Sequence, residues 1–382
     1  METLFARTIT LDKIHRLSLD NGISFVSYRL PGTIEPVTML QWINNPLTIE
    51  DILMLKDHSG FVFAPFDHQS GLPIRIIQPD LIVKGNTFNQ PQKKNEHPFP
   101  ARTGTVCLNV SNTENHFSTR ADFCEQVNYA KKLITEKTID KVVISRVTSE
   151  SKPPNFDSAA LFKALDQAYP DAFVFALYIP DTGFWFGASP EPLLLSDQKN
   201  ISTVSLAGTR KYRSDNTEAN WGVKETEEQM IVTRYIDQII ERNQITQVKK
   251  EGPGSYLAGK IEHLRTVFTF PANQLKASLP EFLKELHPTP SVCGLPKDEA
   301  MTIIRAVENH RREYYSGILG PINKNGEWDL FVNLRSMKVL PASLEYYLGA
   351  GITSGSDADD EWEETLNKMN TLKSIVESLK EN

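Results

Sequence analysis

The stretch LGAGITSGSDADDEWEETLNK, Leu348–Lys368, decides how the rest of the chain is read. A strand-like run ends in a glycine-rich turn (Gly349, Gly351, Gly355), and Ser356-Asp357-Ala358-Asp359 then opens a helix. Either Ser356 or Asp357 is suited to cap it, because each carries an oxygen that accepts from the orphan amides of a first turn. The acids that follow suit the positive end of the helix dipole. Glu361, Glu364 and Lys368 stand at i, i+3 and i+7, so a helix puts them on one face. Trp362, Leu366, Met369 and Val376 form the adjoining apolar stripe, which must pack inward. Carboxylates at the margin of a buried face are either a solvated acidic first turn or the ligands of a positive charge.

The pattern recurs. In the helix expected over Glu218–Arg242, Glu225 and Glu228 are again three apart, on the stripe that carries Val232, Tyr235, Ile236 and Ile239. Carboxylates that continue an apolar face lose water, which is costly unless a cation lies between them. Four such side chains from two helices make an oxygen-rich set of the kind a hard divalent ion such as Mg2+ takes, with substrate oxygens and water completing its shell. Coincidence of two acidic helix starts is the alternative.

The composition bounds the class. The chain has 382 residues, 40% hydrophobic and 23% charged, a net charge of −7 and a pI near 5.7. That is an ordinary globular composition with ample core material. With no basic run longer than a few residues, nucleic acid and a membrane surface are both disfavoured as partners. No apolar run approaches a bilayer span, and the first residues, METLFARTITLDKIHRL, lack a signal-peptide core. Cys107, Cys124 and Cys293 are few and widely spaced, which suits a reducing compartment; a soluble cytoplasmic protein is expected.

In chain order, Phe25–Tyr28, Met39–Ile43, Gly60–Ala64 and Ile74–Ile82 read as strands, and Asn86–Arg102 as a polar, proline-containing loop that includes His97. Ser118–Asp122 leads into an amphipathic helix to about Glu136, with Phe123, Val127, Ala130 and Leu133 inward. KVVISRV, Lys141–Val147, is a buried strand in which Lys141 either snorkels to the surface or serves as a desolvated base. A helix over 158–168 follows. Phe173–Ile179 and Phe184–Gly187 then form a hairpin through Pro180-Asp181-Thr182-Gly183. Glu191, between two prolines in GASPEPLLL, is either an exposed turn residue or an acid kept protonated by its apolar surroundings. A second hairpin, Pro192–Leu206, leads to LAGTR (Leu206–Arg210), a small-residue turn where backbone can approach a ligand.

The blocks KVVISR, FGASPEPLL, LAGTR, KETEEQMIV, LHPTPSVCGLP, YYSGILG, NLRSM and GAGITSGSDADDEWEETLNK occur in this order over about residues 133–368. Together they resemble the chorismate-utilising enzymes: isochorismate synthases, salicylate synthases, and the chorismate-binding subunits of anthranilate and aminodeoxychorismate synthases. The resemblance covers roughly the C-terminal two-thirds. It implies one α/β (α+β) domain of two large, mostly antiparallel sheets with outer helices and the active site between the sheets. Residues 1–105 would be a variable, strand-rich part of that domain and 106–382 the chorismate-binding catalytic region.

Water-adding members of the family resemble one another in carrying lysine at the position of Lys141, where ammonia users have glutamine. Aminodeoxychorismate synthases commonly carry a lysine where this chain has Ala207. The resemblance therefore implies isochorismate synthase. Salicylate synthase, which also eliminates pyruvate, is the alternative, and an ammonia-using synthase subunit is a more distant one. A non-catalytic chorismate-binding protein is the rival from another class. No obligatory amidotransferase subunit is expected, and the product would feed menaquinone or siderophore synthesis.

The resemblance also implies the roles. Mg2+ would be held by Glu225, Glu228, Glu361 and Glu364 and would balance the ring carboxylate of chorismate. Lys141 would be the base toward the water at C2, and Glu191 the acid toward the C4 hydroxyl. Arg335 would take the pyruvyl carboxylate, assisted by Tyr315. Ala207, Gly208 and Thr209, with His287, Gly351 and Lys368, would complete the substrate site. Three departures from the family stand near these residues: Gln229 after Glu228 where histidine is frequent, and Ser291 and Ser316 where alanine is usual.

Overall fold

A computed structural model describes residues 7–85, 87–90, 115–211, 221–259 and 261–380. Two nine-stranded sheets dominate it, and every strand pair within them is antiparallel. The first runs, in spatial order, Gly294–Leu295, Lys141–Ser151, Ser343–Ile352, Ser336–Val339, Gly183–Ser189, Phe173–Ile179, Ser24–Arg29, Val37–Gln41 and Leu81–Lys84. The second runs Lys249–Ala258, Ile261–Pro271, Asn200–Lys211, Pro192–Ser196, Trp328–Val332, Ile318–Ile322, Gly60–Ala64, Ile74–Ile77 and Leu47–Ile49. Strands from the first hundred residues thus complete one end of each sheet. A separate two-stranded ladder pairs Arg7–Thr10 with Thr87–Gln90.

The period of two in the strands assigns the layers. In Phe173–Ile179, Phe173, Phe175, Leu177 and Ile179 enter an aromatic cluster shared by the two sheets, while Val174, Ala176 and Tyr178 face the helices outside. In the inter-sheet cluster Phe173 stacks on Phe331 at 4.3 Å and Phe63 on Tyr314 at 4.2 Å. Helices Leu11–Asn21, Ser158–Ala168 and Ala358–Ser378 cover the outer face of the first sheet. Val223–Arg242 and Leu279–Leu286 contribute to a larger cluster on the second. Each outer helix buries one apolar stripe, so the helices shield the sheets while the aromatic layer fixes their separation.

Several boundaries differ from the sequence reading. Ile74–Ile82 is two strands of different sheets, because Gln78-Pro79-Asp80 breaks the run and Asp80 accepts from the amides of Trp42 and Ile43. The Met39 strand spans Val37–Gln41, two residues short of Ile43. Part of the expected loop, Thr87–Gln90, is a strand; Asn86, the stretch 91–102 with His97, and Cys107 lie outside the described residues. Helix Arg120–Thr135 turns Ile134 rather than Leu133 fully inward, after a capping box between Thr119 and Asp122. Helix Leu11–Asn21 was missed, although Gly22 in the left-handed conformation ends it with the residue type that such a stop favours. LAGTR is not a turn: it lies within Asn200–Lys211, and the register shifts at a bulge between Ala207 and Thr209. Among the described residues no helix is long and apolar enough to cross a membrane.

Candidate active site

The opening stretch folds as the end of strand Ser343–Ile352, a tight turn, and helix Ala358–Ser378. Asp357 is the cap, accepting from the amides of Asp359 and Asp360 at 3.0 and 3.2 Å. Ser356 instead accepts from the amide of Thr353 at 3.1 Å and so closes the turn. Trp362 packs against Phe123 and carries the Arg146 guanidinium 3.9 Å above its ring. These contacts clamp the helix start to the first sheet. The second acidic helix, Val223–Arg242, begins after Gly222, with Glu218 outside the described residues. Its Val232, Tyr235, Ile236 and Ile239 are buried as the stripe requires. Gln229, where relatives often have histidine, is also buried; it donates to Ser205 and Thr266, both at 2.8 Å, and thereby anchors the helix to the second sheet.

Between the sheets lies a cavity whose wall includes Glu191, Ala207, Gly208, Thr209 and Glu228. Tyr315, Arg335, Gly351 and Lys368 complete the expected residues that reach it. Lys141 stands just behind that wall, fully buried, with its Nζ 2.8 Å from Glu228 Oε1. Gly351 makes this possible: a Cβ there would come within 3.1 Å of Lys141 Cε and would overlap Glu228. At the bulge, Gly208 has φ +73 and turns its amide toward Glu228 Oε2 at 3.3 Å. Burial alone would raise the Glu228 carboxyl, but Lys141, Lys368 and Lys224 together outweigh it and hold the group below the usual carboxylate range.

Glu191 behaves in the opposite way. It is 3% exposed, and burial pushes its carboxyl up to about 8 against the opposing pull of Lys141, Ser291 and Lys368. A buried carboxyl in that range is neutral at neutral pH and holds a proton to give. Ser291 lines the same cavity and donates to Leu206 O at 2.9 Å. The cavity is thus bordered both by a buried lysine–carboxylate pair and by a protonated acid.

Arg335 sits 8% exposed in the left-handed region at φ +47, which turns its side chain inward. Its Nη1 donates to Thr371 Oγ1 at 3.0 Å and its Nη2 to His263 Nε2 at 3.1 Å. Burial and the neighbouring charges of Arg335 and Lys368 keep His263 well below its ordinary value, hence neutral. Its Nδ1 lies 3.1 Å from Gly208 O, so the consistent tautomer carries the proton there and accepts from Arg335 at Nε2. His263 was missed by the sequence reading. The available signal was a titratable residue at an inward position of the alternating strand Ile261–Pro271. Tyr315 OH lies over Gly349, where a Cβ would stand 2.9 Å from it. His287 is not at the cavity wall: it is 3% exposed, edge-on to Phe66, with burial holding it well below its ordinary value.

Glu225, Glu361 and Glu364 lie at the two helix starts, outside the cavity wall. Glu361 is 1% exposed and accepts from Lys224 Nζ at 2.5 Å, and Lys368 Nζ lies 2.6 Å from Glu364 Oε1. Burial and the adjacent Glu364 charge push the Glu361 carboxyl up to about 7 despite Lys224. Among the described residues no three histidine, cysteine, aspartate or glutamate side chains are gathered closely enough to hold a metal ion as they stand. The donor set nevertheless fits a hard cation in its chemistry. The four side chains expected to hold it are all carboxylates, and the buried Glu361 already meets one cation, the Lys224 ammonium.

A sequence profile described as "Chorismate binding enzyme" matches residues 78–377. Isochorismate synthase EntC of Escherichia coli (strain K12) is 29% identical over 260 residues, 66% of this chain and 66% of its own. Isochorismate synthase MenF of the same strain is 30% identical over 270 residues, 69% of this chain and 62% of its own. Anthranilate synthase component 1 of Aquifex aeolicus is 28% identical over 293 residues, 73% of this chain and 58% of its own. The chain thus spans about two-thirds of the length of the curated relatives it matches. Among solved structures, the menaquinone-specific isochorismate synthase MenF from Escherichia coli superposes with a TM-score of 0.75 at 22% identity, covering 98% of this chain and 95% of that one. A DhbC structure from Bacillus anthracis gives 0.74 at 21% identity, covering 95% and 98%; at these identities the likeness is one of fold.

Proposed function

The chain belongs to the family of chorismate binding enzymes, and from that premise we propose that it is an isochorismate synthase, moving the hydroxyl of chorismate from C4 to C2. The observation that carries this reading is the opposed pair: a fully buried Lys141 on Glu228, and a Glu191 carboxyl raised to about 8 in its Coulombic reach. Lys141, acting as the neutral amine, accepts a proton from a water whose oxygen bonds to C2. The ring double bonds shift, the C4–O bond breaks, and Glu191 gives its proton to the departing hydroxyl, which leaves as water. Atoms and charge balance, one water entering and one leaving, and in reverse the two groups exchange roles.

Arg335 presents a fork to the pyruvyl carboxylate, held in aim by Thr371 and the neutral His263. The hydroxyls of Tyr315 and Thr209 and the 207–208 backbone orient the substrate from opposite sides of the cavity. Mg2+, held by Glu225, Glu228, Glu361 and Glu364, would supply the positive charge that fixes and neutralises the ring carboxylate. Lysine at 141 and alanine at 207 support water rather than ammonia as the nucleophile, with no amidotransferase subunit needed. The protein would act in the cytoplasm.

Incubation with chorismate and Mg2+, with the products separated by chromatography, tests the reading. Isochorismate alone is expected. Salicylate with pyruvate would move the assignment to salicylate synthase, an aminated product with added ammonium to the ammonia-using branch, and no turnover to a binding protein.

A further inference from the structure

Three ammonium groups pair with Glu228, Glu364 and Glu361 at the helix starts, and they are not equivalent. Lys141 is fully buried on Glu228, and Lys368 is tied both to Glu364 at 2.6 Å and to Gly349 O at 2.8 Å. Lys368, 17% exposed, is thus held by two partners at once. Lys224 differs: its side chain is 27% exposed while the Glu361 it meets at 2.5 Å is 1% exposed, so the ammonium lies on the solvent side of the carboxylate. It also stands in the first turn of helix Val223–Arg242, where the dipole disfavours a positive charge. Its stem rests 3.8 Å from where a Cβ on Gly355 would be, over the turn before the partner helix. The contact joins the two acidic helix starts across a separation of 137 residues.

We propose that Lys224 is a displaceable stand-in for the metal ion: it neutralises Glu361 while the site is empty of cation and must swing to solvent before Glu361 can take Mg2+. The inference rests on the metal reading above and adds to it that Lys224 sets the ion's affinity by competition. A merely structural tether predicts the opposite, since its loss would loosen the two helices and weaken the ion's binding. The competing amine also carries a positive charge in the field of Glu364 and Glu228, so its removal lowers the repulsion met by an entering dication.

Calorimetric titration of Mg2+ into the full chain without chorismate, at one pH, separates these outcomes. Lys224→Met and Lys224→Gln should each bind Mg2+ at least tenfold more tightly than the wild type, about 1.4 kcal/mol, while Lys224→Arg, which keeps the charge, stays within about threefold. Equal or weaker binding by both neutral variants would overturn the proposal and leave the metal reading standing. Absence of Mg2+ binding by the wild type and all variants would overturn the metal reading itself. On the wild-type protein, the acylation rate of Lys224, read by peptide mass spectrometry, should rise when Mg2+ is added; an unchanged or reduced rate also refutes displacement.

Discussion

Replacing Glu191 with glutamine separates the chemical work of the acid from its electrostatic cost. The carboxyl is buried and shifted from 4.5 to about 8. Below the lower value both folded and unfolded chains hold the proton, and the residue contributes no difference. Between the two values the unfolded chain ionises first, so the folded state loses stability as the pH rises. Above the upper value the loss is complete. A shift of this size corresponds to about 5 kcal/mol at ~1.36 kcal/mol per pH unit. Glutamine is neutral throughout and carries no such slope. Urea denaturation of wild type and Glu191→Gln at about pH 5 and pH 8.5 should therefore show the wild type losing several kcal/mol more than the variant over that interval. Turnover should fall by about a hundredfold or more, the usual contribution of a positioned acid. Parallel pH dependences of stability would refute the buried, protonated Glu191, and undiminished turnover would refute its role as the acid.

Three further outcomes follow from the same geometry. Lys141→Ala removes the amine and leaves Glu228 buried without its partner; turnover should drop by about a hundredfold or more on product chromatography, and normal activity would end the proposed chemistry. Arg335→Lys keeps the charge but loses the fork that reaches both Thr371 and His263, so the KM for chorismate should rise by about tenfold or more with a smaller change in kcat; an unchanged KM would place the pyruvyl carboxylate elsewhere. Gly351→Ala drives a methyl into Lys141 and Glu228. Thermal melting should register a cost of about 1–3 kcal/mol together with lost turnover, and a variant as stable and active as the wild type would show the cavity wall to be looser than described.

The legible parts of this protein were those governed by local periodicity. Phe173–Ile179 and 158–168 were readable to the residue because alternation, a hairpin turn and a 3.6-residue stripe are properties of short segments. The two acidic helix starts were readable for the same reason, as i, i+3 spacing fixes a shared face whatever surrounds it. The Ile74–Ile82 run failed as one strand because Gln78-Pro79-Asp80 interrupts it; the proline marks a break, but no local feature says that the two pieces join different sheets. LAGTR failed because small residues signal a bulge and a turn alike. His287 matched a family block, yet it packs behind the cavity, since sequence order does not say which side of a buried strand or loop faces the ligand.

By itself the sequence determined most of the elements and the carboxylate candidates, which rest on residue type and spacing within one segment, and the family, which rests on eight ordered blocks that also imply the acid and base roles. Only the tertiary structure decided which charges meet. Lys141 on Glu228, Lys224 on Glu361, and Arg335 on His263 join segments far apart in the chain. Those meetings follow from the order in which eighteen strands assemble into two sheets, and ion-pair partners across sheets leave no periodic trace in the segments that supply them.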